Sequence, residues 1–346
     1  MTESRVTARD VAKAAGVSPA TASLVFRNKP GVGAETRERV LEVARDLGFE
    51  YDSPAPQRKT STLLLVIYKQ HGRVVSDTPF FESLIKGVSD ATYQMGYHRL
   101  SITYFYAQQD KEEQLGSLRS IKCAGIILLA TEMLAGDVAQ FERLGVPIVL
   151  LDNWFPTVSL DSVVIDNAWG AWSAVRYLAG VGHKEIGYLH STTEIRNFLE
   201  RQEGYLSAMR GAGTMDVDPK HAIVGIGSTV ESAYKDMSEY LDEDPYLPTA
   251  YFADNDIIAS SCIRALEDHG YSVPDDISIV GFDDVSTSAL ISPPLTTMAV
   301  PKTNMGALAV RRLVDVIGRN TGGEVVRISV QPEIVRRKSV APPPSE

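Results

Sequence analysis

The chain has 346 residues, 44% of them hydrophobic, with 34 Lys or Arg against 44 Asp or Glu and a net charge of −10. That length suits two or three domains with sizeable cores, and the acidic balance excludes indiscriminate nucleic-acid binding. The charge is uneven, however: residues 1–60 carry 10 basic and 8 acidic side chains, and the remainder carries 24 and 36. A mildly basic head on an acidic body fits a DNA-reading module joined to a sensor.

The first predicted elements lie at the N-terminus. Residues 7–25 read as two short helices joined by a tight turn, the layout that puts one helix into the DNA major groove. Thr7 and Asp10 form a T-x-x-D variant of the capping box, and Val11, Ala12 and Ala15 follow at helical spacing. Gly16 suits the left-handed residue that ends a helix. Ser18 is a good N-cap, Pro19 sits where a missing N–H costs nothing, and Val17 can staple the helix start. A third helix is expected from about residue 34 to 47, with Val40, Val43, Ala44 and Leu47 on one face and Gly48 ending it. An ordinary helical hairpin is the alternative; the third helix and the body that follows count against it.

Residues 51–61 turn polar and proline-bearing and read as a linker. Beyond it, short apolar runs at 63–68, 100–105, 125–130, 147–152, 186–190, 223–226, 250–253 and 277–282 are candidate strands. Helical patterns at 81–95, 169–178, 201–209 and 255–269 fall between them. Continuous apolar strands alternating with helices imply parallel sheets covered on both faces. Some 280 residues of this pattern are too many for one open sheet, so two lobes with a cleft are expected, and ligands in such sheets bind beyond the carboxyl ends of the strands. Polar residues fall there: Asp152 and Asn153, then Asp254, Asn255 and Asp256, then Asp283 and Asp284. Arg201 is expected to open a helix after a long loop at 191–200. Capping is the ordinary alternative for any one Asp or Asn, and Asn255 can serve both roles.

Cys123 and Cys262 form no CxxC pair and read as reduced core residues. The first residues, Met-Thr-Glu-Ser-Arg, show no apolar leader, and no apolar run is long enough for a bilayer, so the expected location is cytoplasmic without membrane attachment. No G-x-S-x-G, phosphate-loop, H-E-x-x-H or metal-spaced Cys/His pattern occurs. The chain is therefore expected to have no catalytic residues, metal or cofactor.

Taken together, the segments resemble the lactose-repressor/galactose-repressor family of bacterial transcription regulators. The resemblance rests on Asp10-Val-Ala-Lys-Ala-Ala-Gly-Val-Ser18, Thr21-Ala-Ser23, Glu35-Thr-Arg-Glu-Arg-Val40 and Leu47-Gly-Phe49 in the head. The body adds Pro79-Phe-Phe81, Pro147-Ile-Val-Leu-Leu-Asp152, Arg201-Gln-Glu-Gly-Tyr205, Asn255-Asp256, Ile279-Val-Gly-Phe-Asp-Asp284 and Pro294-Leu-Thr-Thr297. It implies an α/β fold: a three-helix helix-turn-helix headpiece at 1–50, a hinge linker at 51–61, and a bilobal core like periplasmic binding proteins. The implied lobes are 62–164 with 302–326 and 165–301 with 327–340, leaving a flexible tail at 341–346.

The implied protein is a homodimeric repressor of a palindromic operator, switched by a small effector; the implied contact residues suit a sugar, and Arg201 would equally welcome a carboxylate. A transport-type sugar-binding protein and a carbohydrate-active enzyme are the alternatives. Carried over residue by residue, Pro19 and Ala20 face base edges, while Thr7, Ser18, Thr21, Ser23, Thr36 and Arg37 anchor the DNA backbone. Leu24 replaces a polar base reader, leaving apolar contact such as a thymine methyl. Arg27 stands where Asn is usual and can reach a phosphate. Arg58 replaces a minor-groove leucine wedge, and Pro54 and Pro56 lie in what is usually a hinge helix. The implied effector contacts are Phe80, Asp152, Arg201, Asn255 and Asp283. Ser228 falls where an aromatic often stacks on the ligand and Val300 where Gln is frequent, so Trp154 and Trp169 are candidates for the missing stacking face.

Overall fold

The chain divides into two units, Met1–Thr60 and Ser61–Glu346. The structure is a computed structural model that describes residues 6–26, 31–47, 49, 62–75, 79–211, 222–318 and 323–344. The first unit contains α1 (Ala8–Ala14), α2 (Pro19–Phe26) and α3 (Ala34–Asp46). The short Asp10 side chain completes the capping box: it accepts from the Thr7 N–H at 2.8 Å and the Thr7 hydroxyl at 2.6 Å. Gly16, at φ +67°, turns the chain between helices. Val11, Ala12 and Ala15 of α1, Ala22, Val25 and Phe26 of α2, and Val40 and Ala44 of α3 form this unit's own small core. Leu47 departs from the expected inner face and is 40% exposed. The helix ends at Asp46, and Phe49 packs inward instead, its ring 5.2 Å from that of Phe26.

In chain order the second unit runs β1 (Thr62–Lys69), α4 (Pro79–Gln94), β2 (Arg99–Tyr106), α5 (Lys111–Ser120), β3 (Ile126–Leu129), α6 (Val138–Glu142), β4 (Ile148–Leu151) and β5 (Asp161–Ile165). It continues with α7 (Asn167–Val181), β6 (Ile186–Ser191), α8 (Arg196–Gly211), β7 (Ile223–Ile226), α9 (Val230–Asp242), β8 (Ala250–Ala253) and α10 (Asp256–Asp268). Last come β9 (Ser278–Asp283), β10 (Thr296–Ala299), α11 (Lys302–Gly318), β11 (Arg327–Val330) and β12 (Glu333–Val335). Two six-stranded sheets result, ordered β11-β5-β4-β3-β1-β2 and β12-β10-β9-β8-β6-β7. Among the described residues all pairings are parallel except β10 with β12. The central strands are buried along their length, as their apolar runs require.

The chain passes between sheets after Ile165, after Ala299 and after Val330. The last passage corrects the boundary expected at 326/327, because Arg327–Val330 pairs with Asp161–Ile165 in the first sheet. The tail expected from 341 is docked at its start: the Ala341 N–H donates to the Ser278 hydroxyl at 3.0 Å, and its carbonyl lies 2.9 Å from His183 Nε2. Helix α8 begins five residues before the position expected for it, so Arg201 lies in its second turn rather than opening it. Gly204 lets α8 approach α7 backbone to backbone. A Cβ there would stand 2.1 Å from the Ala168 carbonyl oxygen. This close approach brings Arg201 within reach of Asn167 at the start of α7.

Candidate functional site

The carboxyl ends of both sheets open on one cavity of about 250 Å³, room for one compact metabolite. From the first lobe it is lined by Arg73, Val74, Phe80, Phe81, Thr131 and Asp152. The facing wall includes Asn197, Phe198, Arg201, Asn255 and Asp283 of the second lobe. Phe80, Asp152, Arg201, Asn255 and Asp283, scattered in sequence, are thus brought together.

Arg201 is the buried cation of this wall, 3% exposed. Its Nε donates to Asn167 Oδ1 at 2.9 Å and its Nη1 to the Asp254 carbonyl. Its guanidinium stacks 3.7 Å from the centroid of the Phe282 ring. Held on three sides, it still presents Nη2 to Asp283 Oδ1 at 3.4 Å. Asp283 ends β9 at φ +109°, and Asp152 follows β4 at φ +65°. Such conformations cost a non-glycine residue on the order of 1–3 kcal/mol and persist where the surroundings fix them. Asp152 accepts from the Thr131 hydroxyl at 2.6 Å and from Asn197 Nδ2 at 3.1 Å, so one carboxylate takes bonds from both lobes. Asn255 caps α10 by accepting from the Ile258 N–H at 2.9 Å, and it also lines the cavity. Asp254 and Asp256 serve the frame instead. Asp254 accepts from Tyr188, the Ser191 N–H and His190, and Asp256 accepts from Ser288, Thr297 and the Val285 N–H.

Burial raises the Asp152 carboxyl to about 6; Thr131 and Arg201 oppose this, and Asp283 adds to it. Burial likewise raises Asp283 to about 6, against the pull of Arg201 and Lys302. A folded pKa above the unfolded value of about 3.9 means that the native state holds the proton longer as pH rises. The ionisation cost is therefore absent below about 4 and fully present above about 6. Relative to Asp283→Asn, wild type should gain stability as pH falls from 7.5 to 4.5, by roughly 2 kcal/mol. Urea unfolding of both proteins at the two pH values measures this difference; a pH-independent gap contradicts it.

The stacking face expected from Trp154 or Trp169 is absent from the cavity lining. Trp154 is held between Arg196 and Arg327, 3.9 and 3.8 Å from its ring centroid, and donates to Glu200 Oε1 at 2.9 Å. Trp169 is 37% exposed on α7. Phe198, with Phe80 and Phe81, supplies the aromatic walls. Ser228 does line the cavity, its hydroxyl 3.0 Å from that of Thr193, whereas Val300 is buried elsewhere. Asn197 and Phe198 fall in the stretch expected to be a loop, so the sequence does not single them out; their spacing from Arg201 is the available signal. Among the described residues no group of three or more His, Cys, Asp or Glu could hold a metal.

In the head, α2 buries Ala22, Val25 and Phe26 and leaves Pro19 and Ala20 exposed, with Thr21, Ser23 and Leu24 half-buried. Ser18 caps it, accepting from the Thr21 N–H at 3.0 Å, and its hydroxyl lies 2.8 Å from that of Thr21. Thr7 is exposed at the start of α1, and Thr36 is half-buried in the first turn of α3. Arg37 donates to the Val25 carbonyl at 3.4 Å, tying α3 to the end of α2. Arg27, Arg58 and the linker lie outside the described residues.

Comparison with known proteins matches residues 7–51 to the bacterial regulatory proteins of the lacI family and residues 175–340 to a periplasmic binding protein-like domain. The chain is 33% identical over 340 residues to the HTH-type transcriptional repressor PurR of Pasteurella multocida, covering 96% of this chain and 98% of that one. It is 33% identical over 318 residues to the repressor CytR of Escherichia coli, covering 90% of each. A solved transcriptional regulator CelR–cellobiose complex superposes with a TM-score of 0.71 at 28% identity, over 97% of this chain and 100% of that one.

Proposed function

The chain belongs to the lacI family of bacterial regulatory proteins, and from that membership we propose a DNA-binding transcriptional repressor whose operator affinity is switched by a small neutral sugar held between its lobes. The observation that carries the ligand class is the pairing of one guanidinium with two buried carboxylates at the ends of strands from both sheets. Neutral hydroxyls donate to Asp152 and Asp283 and accept from Arg201. An anionic ligand would meet two carboxylates that are mostly ionised at neutral pH. The aromatic faces of Phe80, Phe81 and Phe198 suit the apolar face of a sugar ring.

The DNA reading assigns α2 to the major groove, with Pro19, Ala20 and Leu24 toward base edges and Thr7, Ser18, Thr21, Ser23, Thr36 and Arg37 toward phosphates. Arg27 would add a phosphate contact, and Arg58 a guanidinium in a narrow minor groove. Two heads in a homodimer match a palindromic duplex, because one helix reads too few bases for useful specificity. Such work takes place beside the chromosome, in the cytoplasm. A transport-type binding protein has no use for the head, and the cleft carboxylates serve here as hydrogen-bond acceptors, not as catalysts.

A thermal-shift screen with D-ribose, D-glucose and cellobiose, each beside its phosphorylated form, tests the ligand class. A sugar at a hundred times its dissociation constant should stabilise the core by about 2.7 kcal/mol. Stabilisation by the phosphorylated forms alone would overturn the assignment to neutral sugars.

A further inference from the structure

The described part of the connection that follows β1, residues 70–75, has no backbone ladder of its own. Five of its six peptide N–H groups converge on one carboxylate, that of Glu132, which lies just beyond β3 and is 3% exposed. Oε2 accepts from Gln70 at 2.9 Å, His71 at 3.0 Å and Gly72 at 2.9 Å. Oε1 accepts from Val74 at 2.9 Å and Val75 at 2.8 Å. Gly72, at φ +67°, makes the turn that wraps the peptide groups around the carboxylate, a concavity of the kind that binds anions. The sixth N–H, that of Arg73, donates to His71 Nδ1 at 3.1 Å. That nitrogen is therefore an acceptor, so its 3.3 Å approach to Glu132 is no proton-sharing ion pair. Burial alone would raise the Glu132 carboxyl, but the N–H groups of Val75, Gly72, His71 and Val74 hold it below the ordinary value. The clamp is charged at neutral pH, and a charged acceptor makes stronger hydrogen bonds than a neutral one.

The clamped segment reaches the cleft. Arg73 and Val74 both line the cavity from the first lobe, and Val230 and Glu231 of α9 line it from the second. Arg73 is exposed, and its guanidinium has no protein partner among the described residues. We infer that Glu132 is a positioning residue for ligand capture: its carboxylate fixes loop 70–75 so that Arg73 stands at the mouth of the cleft, ready to donate to a ligand oxygen. Glu132 does not itself line the cavity, and its effect passes through the loop. The inference rests on the reading of this cleft as the effector site. It adds a donor on the first lobe to Arg201 on the second, so a bound sugar is held from both sides.

The test combines amide hydrogen exchange with a double-mutant cycle in the full-length protein. In Glu132→Gln, the amides of Gln70, His71, Gly72, Val74 and Val75 should exchange at least tenfold faster than in wild type. Those of Thr62–Lys69 should be unchanged. Unchanged exchange in the loop would overturn the clamp, and so would faster exchange through the whole of Thr62–Lys69, which signals general loosening. Whichever of D-ribose, D-glucose and cellobiose stabilises wild type is then titrated calorimetrically. Glu132→Gln and Arg73→Ala should each bind it about tenfold more weakly, and the double variant should be no weaker than about tenfold, because both changes remove one interaction. Wild-type affinity in Glu132→Gln, or a hundredfold loss in the double variant, overturns the inference. Failure of all three sugars to bind wild type would count against the sugar reading, and the exchange result would still decide the clamp.

Discussion

Removal of residues 1–60 should abolish specific DNA binding while leaving effector binding intact. The remaining unit has its own core and two complete sheets, but none of the three head helices. It also carries 24 basic against 36 acidic side chains, so its net charge opposes the phosphate backbone. Specific complexes are typically 10³–10⁷ tighter than non-specific ones, so the expected loss is at least about a thousandfold. An electrophoretic shift on a duplex selected from a random pool by the full-length protein checks this. A truncated protein that still shifts the selected duplex would disprove the assignment of the head.

Replacing Arg201 by Ala should weaken the effector by roughly one to two orders of magnitude, since removing a charged partner from a buried hydrogen bond typically costs about 1.5–3 kcal/mol. The substitution also leaves Asp283 without its guanidinium and exposes the face of Phe282. Arg201→Lys should recover little, because an ammonium cannot reproduce the fork that reaches Asn167, the Asp254 carbonyl and Asp283 at once. Binding to DNA without effector should stay near wild type in both variants. Calorimetric titration beside a DNA titration separates the two activities. Unchanged effector affinity in a folded Arg201→Ala protein would remove Arg201 from the site.

The sequence carried most of this architecture, for reasons that also explain its gaps. Six of the expected strands are legible because they are buried on both faces and so read as unbroken apolar runs, whereas Arg99–Tyr106 and Ile223–Ile226 are partly exposed edge strands that their β-branched and aromatic residues still mark. Arg327–Val330 and Glu333–Val335 escaped because they are half-exposed edge strands with polar residues in alternation. Asp161–Ile165 escaped because it opens with two polar residues, Asp161 and Ser162, which are buried nonetheless. The cleft was legible through a rule of topology: polar residues at strand ends converge when the sheets are parallel. What pattern could not convey was local geometry. The seating of α8 against α7 depends on the close approach that Gly204 allows, which no pattern of apolar residues encodes. The Glu132 clamp joins residues about 60 apart in sequence, and a lone Glu after an apolar run carries no signal of it.

The central claim is that occupancy of the cleft changes affinity at the head. Its most direct test is fluorescence-anisotropy titration of the selected duplex with full-length protein, without and with the stabilising sugar at a hundred times its dissociation constant. The dissociation constant for DNA should change by about 5–150-fold in the presence of sugar, the usual span of coupling between linked sites. The same titration with Arg201→Ala should show a smaller change at that concentration of sugar, where the variant is only about 50–90% occupied, and should approach the wild-type change when the sugar is raised about a hundredfold further. Identical DNA affinity for wild type with the cleft empty and filled would contradict the account.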